Sequence, residues 1–333
     1  MSISILKAGL LTTIQDKGRY GYQKYGVVVS GAMDNFSMRL SNIIVGNHEN
    51  EAVLEITLIG PEVKIKKGNL ISITGADLSP TINGIKVPMG RPVYLNEDCI
   101  LNFGTCVYGC RAYLSIAGGF DIPLVMESKS TYIRGAIGGK DGRALKKGDE
   151  VKIYKKNELS KKIISKLLNI KSEKTLIYPK WYIKEAIFKN SEGNEIRVLE
   201  DRQFKDVSGE SIEEFFTSEF IVDSKSDRMG YRLNGPEIKF KHEIEMISEE
   251  VSFGTIQIPP DGNPIVLLAD RATAGGYPKI AHVIYYDFQK LVQVKPSEKI
   301  RFKKITFEEA EELYLERERY LEDLKKCIKL ASI

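Results

Sequence analysis

The chain has 333 residues, 42% hydrophobic and 28% charged, which is enough apolar material for a core and enough length for two domains of roughly 100–200 residues each. Lys and Arg total 49 against 45 Asp and Glu, and this thin net charge of +4, with no long Arg-rich or aromatic-interleaved basic stretch, argues against nucleic acid as a partner. The longest uninterrupted apolar run, residues 265–269, is far short of the ~20 residues of a membrane span. The start Met1-Ser2-Ile3-Ser4-Ile5 alternates polar with apolar and lacks a secretory pattern, so a soluble cytoplasmic protein without membrane contact is expected.

In chain order, short runs rich in Ile, Val, Tyr and Phe predict strands over 2–6, 10–14, 52–58, 62–65, 70–74, 91–95, 99–103, 111–116 and 151–153. Turns such as Lys67-Gly68 and Asn83-Gly84 punctuate them. One helix interrupts the series: Asp34 can cap it, Phe36, Leu40, Ile43 and Ile44 share a face, and Gly46-Asn47 closes it. Residues 155–178 are lysine-rich with a helical pattern around Ile163, Leu167 and Leu168, and read as a connector. Strand patterns resume over 195–199, 219–223, 237–240, 255–258, 264–268, 280–285 and 299–303. A long helix ends the chain, with Thr306 and Glu309 as a capping box and Phe307, Ala310, Leu313, Tyr314, Leu321, Leu324 and Ile328 as its apolar stripe. The expected organisation is mainly β: a domain over 1–155, a connector over 156–189, a second β domain over 190–305 and a terminal helix over 306–333.

Three short segments echo each other in one order. Arg19-Tyr20-Gly21-Tyr22 matches Arg228-Met229-Gly230-Tyr231, Gly60-Pro61-Glu62 matches Gly235-Pro236-Glu237, and Ala117-Gly118-Gly119 matches Ala274-Gly275-Gly276. A duplicated β unit, with the capped helix inserted in the first copy, accounts for this order, and so does a chance likeness of glycine turns.

Standard cofactor signatures are missing from the sequence. Cys106 and Cys110 have no His or Cys companions at zinc-ligand spacing, and His48, His242 and His282 form no metal motif, so no metal is expected. The run Arg134-Gly135-Ala136-Ile137-Gly138-Gly139-Lys140-Asp141 lacks the first glycine of a P-loop and the Ser or Thr after its lysine. No Gly-x-Ser-x-Gly elbow and no biotinyl-lysine motif occurs, so ATP or biotin, if used, must be supplied by another chain or another kind of site.

Charged and polar residues gather at glycine turns. Gln15, Asp16 and Arg19 follow a predicted strand, where an Arg fork suits a carboxylate or carbonyl and an Asp suits an amide N–H; a turn-stabilising Asp16–Arg19 pair fits equally. Ser30 and Gly31 precede the capped helix, a place for an anion or carbonyl, although Asp34 there also reads as a plain cap. In the second half, Arg228, Thr273, Gly275 and Gly276 repeat the mixture, and Glu249 and Gln257 are further candidates to line a polar cleft.

Together, Gln15-Asp16-x-Gly18-Arg19, Ser30-Gly31-Ala32-Met33-Asp34, Asn42 through Gly46-Asn47, Glu55 before Gly60-Pro61, Ala117-Gly118-Gly119, residues 227–233 and Thr273-x-Gly275-Gly276-Tyr277-Pro278 resemble the biotin-dependent carboxyltransferase-like family. That family, formerly labelled allophanate hydrolase subunit 2, includes the C subunit of bacterial 5-oxoprolinase (KipA) and the matching part of urea amidolyase. The resemblance runs from about residue 3 to about residue 304; Ala274 departs from a Thr-like residue, and the connector and terminal helix look particular to this chain. It implies tandem cyclophilin-like β-barrels, a stable hetero-oligomer with the B subunit of 5-oxoprolinase, and a functional partnership with the A subunit of that enzyme. It also implies ATP-dependent opening of the small lactam 5-oxo-L-proline to L-glutamate, with Gln15, Asp16 and Arg19 at the reacting group and Ser30, Gly31, Arg228, Gln257, Thr273, Gly275 and Gly276 around the substrate. Two other readings fit the same resemblance: a carboxyltransferase component working on urea or a similar amide with a biotin carrier, and a regulatory binder of the B subunit that antagonises inhibition of a sensor kinase.

Overall fold

Strict alternation makes the first strand. In Ser2–Lys7, Ile3 and Ile5 point into a core and pair with Ile65 and Val63 of the antiparallel Glu62–Ile65 strand, whose Lys64 faces solvent. The same logic builds most of this computed structural model, which describes residues 1–170, 173–188 and 194–331. Residues 171–172 and 189–193, which fall in the expected connector and at the start of the expected second domain, and residues 332–333 of the terminal helix lie outside the described residues.

The chain divides into two units, and neither is a continuous segment. Residues 1–18, 34–189 and 319–333 form the first, and residues 19–33 and 190–318 form the second. These boundaries differ from the expected 1–155 and 190–305: the lysine-rich segment belongs to the first unit, a short early segment belongs to the second, and the terminal helix Phe307–Ala331 contributes to both.

The first unit has two six-stranded sheets with one shared core. One sheet runs in the order Glu150–Lys152, Ser2–Lys7, Glu62–Ile65, Cys99–Asn102, Thr81–Ile82, Ile85–Lys86. The other runs Leu176–Ile177, Val93–Leu95, Leu70–Asp77, Tyr108–Ile116, Val53–Thr57, Leu11–Gln15. Ile3, Val63 and Leu101 of one sheet and Leu54, Ile73 and Leu114 of the other belong to the same buried cluster. The expected helix forms over Asn35–Ile44: Asp34 Oδ1 accepts the Ser37 N–H at 2.9 Å, and Gly46, at φ +79°, turns the chain out. A Cβ on Gly46 would lie 3.0 Å from the Ser160 backbone nitrogen, because helix Glu158–Leu168 packs there through Ile163 and Leu167. The lysine-rich segment is therefore in part a packed helix, with Leu168 left exposed.

The second unit is a closed seven-stranded barrel. Its order is Glu195–Glu200, Lys279–Val283, Thr255–Gln257, Ile265–Leu267, Gly230–Asn234, Phe220–Val222, Lys299–Lys304, and the last strand pairs parallel with the first to close it. Phe215 of helix Gly209–Thr217 stacks on Phe302 with ring centroids 4.6 Å apart, and Phe220 packs against both. The strand expected over 237–240 does not form; Phe240 makes only an isolated bridge to Val207. The Gly-Pro-Glu echo thus leads into a strand at residue 62 but not at residue 237. The other echoes also diverge. Arg19-Tyr20-Gly21-Tyr22 lies in the same unit as its supposed copy, and Gly118 and Gly119 adopt positive φ while Gly275 and Gly276 do not.

The structure is mainly β, as expected. The capping box also forms, Thr306 N–H donating to Glu309 Oε2 at 2.8 Å and Glu309 N–H to Thr306 Oγ1 at 3.2 Å. Along the helix it starts, Leu321 and Ile328 are buried while Phe307 and Tyr314 are exposed, so the expected stripe is apolar throughout but buried only in its second half. Among the described residues no helix is long and apolar enough to cross a membrane.

Candidate functional sites in the two units

In the first unit, Gln15 ends the Leu11–Gln15 strand with no exposed surface. Its Nε2 donates to Thr13 Oγ1 at 3.0 Å and to the Thr131 carbonyl at 3.1 Å, and its buried Oε1 accepts no hydrogen bond. Asp16 next to it accepts four hydrogen bonds. Its Oδ1 accepts from the Gly18 N–H at 2.8 Å and from the Ser128 and Ser130 hydroxyls, and its Oδ2 accepts from the Lys129 N–H at 2.6 Å. Three donors therefore share Oδ1 and one occupies Oδ2, which keeps a second acceptor position. This geometry makes Asp16 the organiser of the 128–131 loop.

A polar row missing from the sequence-based candidates crosses four strands of the same sheet. Thr13 pairs with Glu55, Glu55 with Tyr113 and Tyr113 with Thr74, all of them buried. Helix Asn35–Ile44 covers this face, taking the Thr74 hydroxyl on the Ser37 carbonyl and the Ser115 hydroxyl on the Ser41 carbonyl. The Tyr113 phenol donates to Glu55 Oε2 at 2.9 Å and accepts the Asp34 N–H at 2.7 Å. Burial first, then the nearby Glu55 and Asp34 carboxylates, push its ionisation well above the usual range, so it stays a neutral proton donor. The available signal was Glu55 between Leu54 and Ile56, a charge in a strand with both faces buried.

In the second unit, Arg19 is fully buried and its N–H donates to the Val29 carbonyl at 2.7 Å. Ser30 and Gly31 both adopt positive φ, +56° and +91°. For a serine this conformation is strained, by about 1 kcal/mol or more. Two bonds hold it: Ser30 Oγ donates to Asp270 Oδ1 at 2.8 Å, and Arg228 Nη2 donates to the Gly31 carbonyl at 2.6 Å. Arg228 also grips Asp270, Nε to Oδ2 at 2.9 Å and Nη2 to Oδ1 at 3.1 Å, with both side chains under 10% exposed. The structure therefore brings Ser30, Gly31 and Arg228 together around Asp270, which was not among the expected site residues although it opens the Asp270-Arg271 turn.

Gln257, Thr273, Gly275 and Gly276 gather at a separate feature. Ala274–Gly275 pairs antiparallel with Glu249–Glu250 in a small ladder, and the Val251 N–H donates to the Thr273 carbonyl at 3.2 Å. Gln257 Nε2 donates to the Tyr277 carbonyl at 3.1 Å, and a Cβ on Gly275 would sit 2.7 Å from that nitrogen, so glycine lets the ladder close over Gln257. Gly276 is exposed and makes no such close approach.

The Arg134–Asp141 run does not fit a nucleotide phosphate loop. It is a chain of turns in which Ala136, Gly138, Gly139 and Asp141 take positive φ, and no helix N-terminus follows it.

A β sandwich-like unit and a closed barrel carrying these polar turns coincide with a known domain type. Residues 25–304 match the model of the carboxyltransferase domain, subdomain A and B, and the chain belongs to that family. It is 34% identical over 322 residues to the C subunit of 5-oxoprolinase from Escherichia coli (strain K12), covering 97% of each chain, and 32% identical over 326 residues to the Haemophilus influenzae protein of the same name, covering 98% of each. It is also 35% identical over 329 residues to Saccharomyces cerevisiae urea amidolyase, of which it matches 17%. Among solved structures, K. lactis urea amidolyase superposes with a TM-score of 0.84 at 30% identity, over 97% of this chain and 20% of that one.

Proposed function

We propose that this chain is the C subunit of a 5-oxoprolinase, working with the A and B subunits in the ATP-dependent hydrolysis of 5-oxo-L-proline to L-glutamate in the cytoplasm. The observation that carries this reading is the identity of 34% and 32% to two proteins named as the C subunit of 5-oxoprolinase, spread over nearly the whole of each chain. The site chemistry is compatible with it. A lactam offers a ring N–H, and Gln15 Oε1 is a buried acceptor lacking a donor, a vacancy that costs about 1–3 kcal/mol when nothing fills it. Gln15 is accordingly assigned to the lactam N–H. Asp16 positions Gln15 by fixing the loop that receives its amide. ATP is assigned to the complex rather than to the 134–141 turns, and none of the roles given to this chain's residues passes through it.

The test is reconstitution. Oxoproline-dependent ATP hydrolysis and glutamate formation are measured with the two other subunits, in the presence and absence of this chain, and a rate indifferent to the chain would remove it from the enzyme. The carboxyltransferase reading has its own support in the family match and the urea amidolyase identity. It requires carboxylation of urea or a similar amide when a biotinylated carrier is supplied, an activity that the same preparation can be assayed for.

A further inference from the structure

Beside the Glu249–Glu250 and Ala274–Gly275 ladder the second unit has a cavity of about 540 Å³, within the range of small-molecule sites. Lys279 lines it, with a side chain only 8% exposed. An ammonium carries three donors. Two of them go to Glu249 Oε2 at 2.6 Å and the Glu250 carbonyl at 3.2 Å, and the third has no partner among the described residues. A largely buried charge with one unmet donor in a cavity wall is a ligand contact waiting for its acceptor.

The rest of the lining sets the charge of that ligand. Asp201, half-buried in the lining, accepts the Arg202 N–H on one carboxylate oxygen, and Arg202, three-quarters exposed, lies 3.7 Å from Glu249. Three lining carboxylates, Asp201, Glu249 and Glu250, thus face two lining cations, Arg202 and Lys279, and a third cation, Arg271, donates to the carbonyl of the lining Val251 and interacts with Glu250. The remaining polar groups, the Ser252 and Thr255 hydroxyls, each lie 3.5 Å from Nδ1 of His282, whose burial keeps the ring neutral at pH 7. Signs this evenly mixed disfavour a polyanion such as a nucleotide and a carboxylate with no positive group. A molecule carrying an ammonium together with a carboxylate satisfies both signs.

We propose that this cavity binds an α-amino acid, its carboxylate on the open donor of Lys279 and its ammonium between Asp201 and Glu250, with Arg202 at the mouth for a second carboxylate. Only the identity of the amino acid rests on the function proposed above. Under that reading it is the product, glutamate: water adds to the lactam carbonyl carbon, the ring C–N bond breaks, and the freed nitrogen takes up protons to become the ammonium that the cavity selects. The substrate, whose nitrogen is an uncharged amide, is rejected by the same cavity.

Isothermal titration of the full-length chain, with no ATP and no partner protein, tests this with L-glutamate, 5-oxo-L-proline and glutarate. Saturable binding of L-glutamate is expected, at least about tenfold tighter than either compound lacking an ammonium, the smallest ratio that one charge-assisted hydrogen bond provides. Asp201→Asn and Lys279→Met should each weaken L-glutamate by a similar factor. Asp201 is only half-buried, so its variant keeps the result readable if Lys279→Met, which strands Glu249, melts early. Absence of binding up to tens of millimolar, glutarate binding as well as glutamate, or undiminished binding by Asp201→Asn would each overturn the proposal. An inactive reconstituted complex with glutamate still bound by this chain would count against the enzyme reading alone.

Discussion

Replacing Asp270 by Asn removes one charge and leaves shape almost unchanged, which isolates what the buried pair with Arg228 contributes. In the native site one carboxylate oxygen accepts Arg228 Nε at 2.9 Å and the other accepts Arg228 Nη2 at 3.1 Å and Ser30 Oγ at 2.8 Å. The amide of an Asn has one acceptor oxygen, so whichever way it is turned an N–H meets an N–H of the guanidinium. Arg228 stays cationic because guanidinium does not deprotonate in proteins, and its side chain is only 7% exposed. Breaking a buried pair from one side costs about 3–5 kcal/mol. At about 2–4 °C per kcal/mol for a unit of this size, the transition that includes the barrel should fall by roughly 6–20 °C in differential scanning calorimetry. The double variant Arg228→Met with Asp270→Leu removes both charges and should recover the part of that loss due to the unpaired cation, but not all of it, because the Ser30 hydroxyl and the Gly31 carbonyl lose their partners. A single variant that melts with the wild type, or a double variant no more stable than the single, would refute the reasoning.

Three further outcomes follow from local geometry. Gly275→Ala should destabilise by about 1–3 kcal/mol in urea titrations through its clash with Gln257 Nε2, and Gln257→Ala in the same chain should relieve most of it. Thr306→Ala should cost about 0.5–2 kcal/mol by removing one arm of the capping box, read as lost helical signal on gentle heating. Burial holds His282 below its ordinary value of 6.5, so the unfolded chain takes up this proton at higher pH than the folded one. Its contribution is complete above about pH 6.5 and is lost as the pH falls through that value toward the folded pKa. The urea midpoint should drop accordingly, less so in His282→Gln, and a histidine ring NMR titration at or above 6.5 would contradict it.

What was legible in the sequence was local. Asp34 ahead of Asn35–Ile44 and the Thr306–Glu309 box act within four residues, so the caps are written where they operate. Ile3 and Ile5 announce their strand by alternation alone. The parallel closure of Glu195–Glu200 on Lys299–Lys304 joins segments about a hundred residues apart and leaves no short-range mark. The misjudged strand at 237–240 shows the same limit from the other side. Glu62–Ile65 becomes a strand because Ser2–Lys7 and Cys99–Asn102 flank it, whereas the matching segment after Gly235-Pro236 finds one bridge to Val207 and no ladder. For the site, the motifs located Ser30, Gly31 and Arg228 but not the residue that unites them, because a buried Asp270 looks in sequence like any turn aspartate. Asp16 was read by residue type, and the loop it organises, with three donors on Oδ1 and one on Oδ2, is visible only in the fold.

The parallel seam between Glu195–Glu200 and Lys299–Lys304 also sets the order in which this protein can be made. While the ribosome has not yet released residues near 300, five or six barrel strands are already synthesised and two edges remain open, with backbone N–H and C=O groups that another chain can pair with. Long-range closure of this kind is slow, and unpaired edges at that stage are where nascent chains associate wrongly. The alternating lysines and arginine of the last strand, Lys299, Arg301 and Lys303, carry charge along its outward side until it docks, so the strand that completes the barrel arrives with its own protection against strangers.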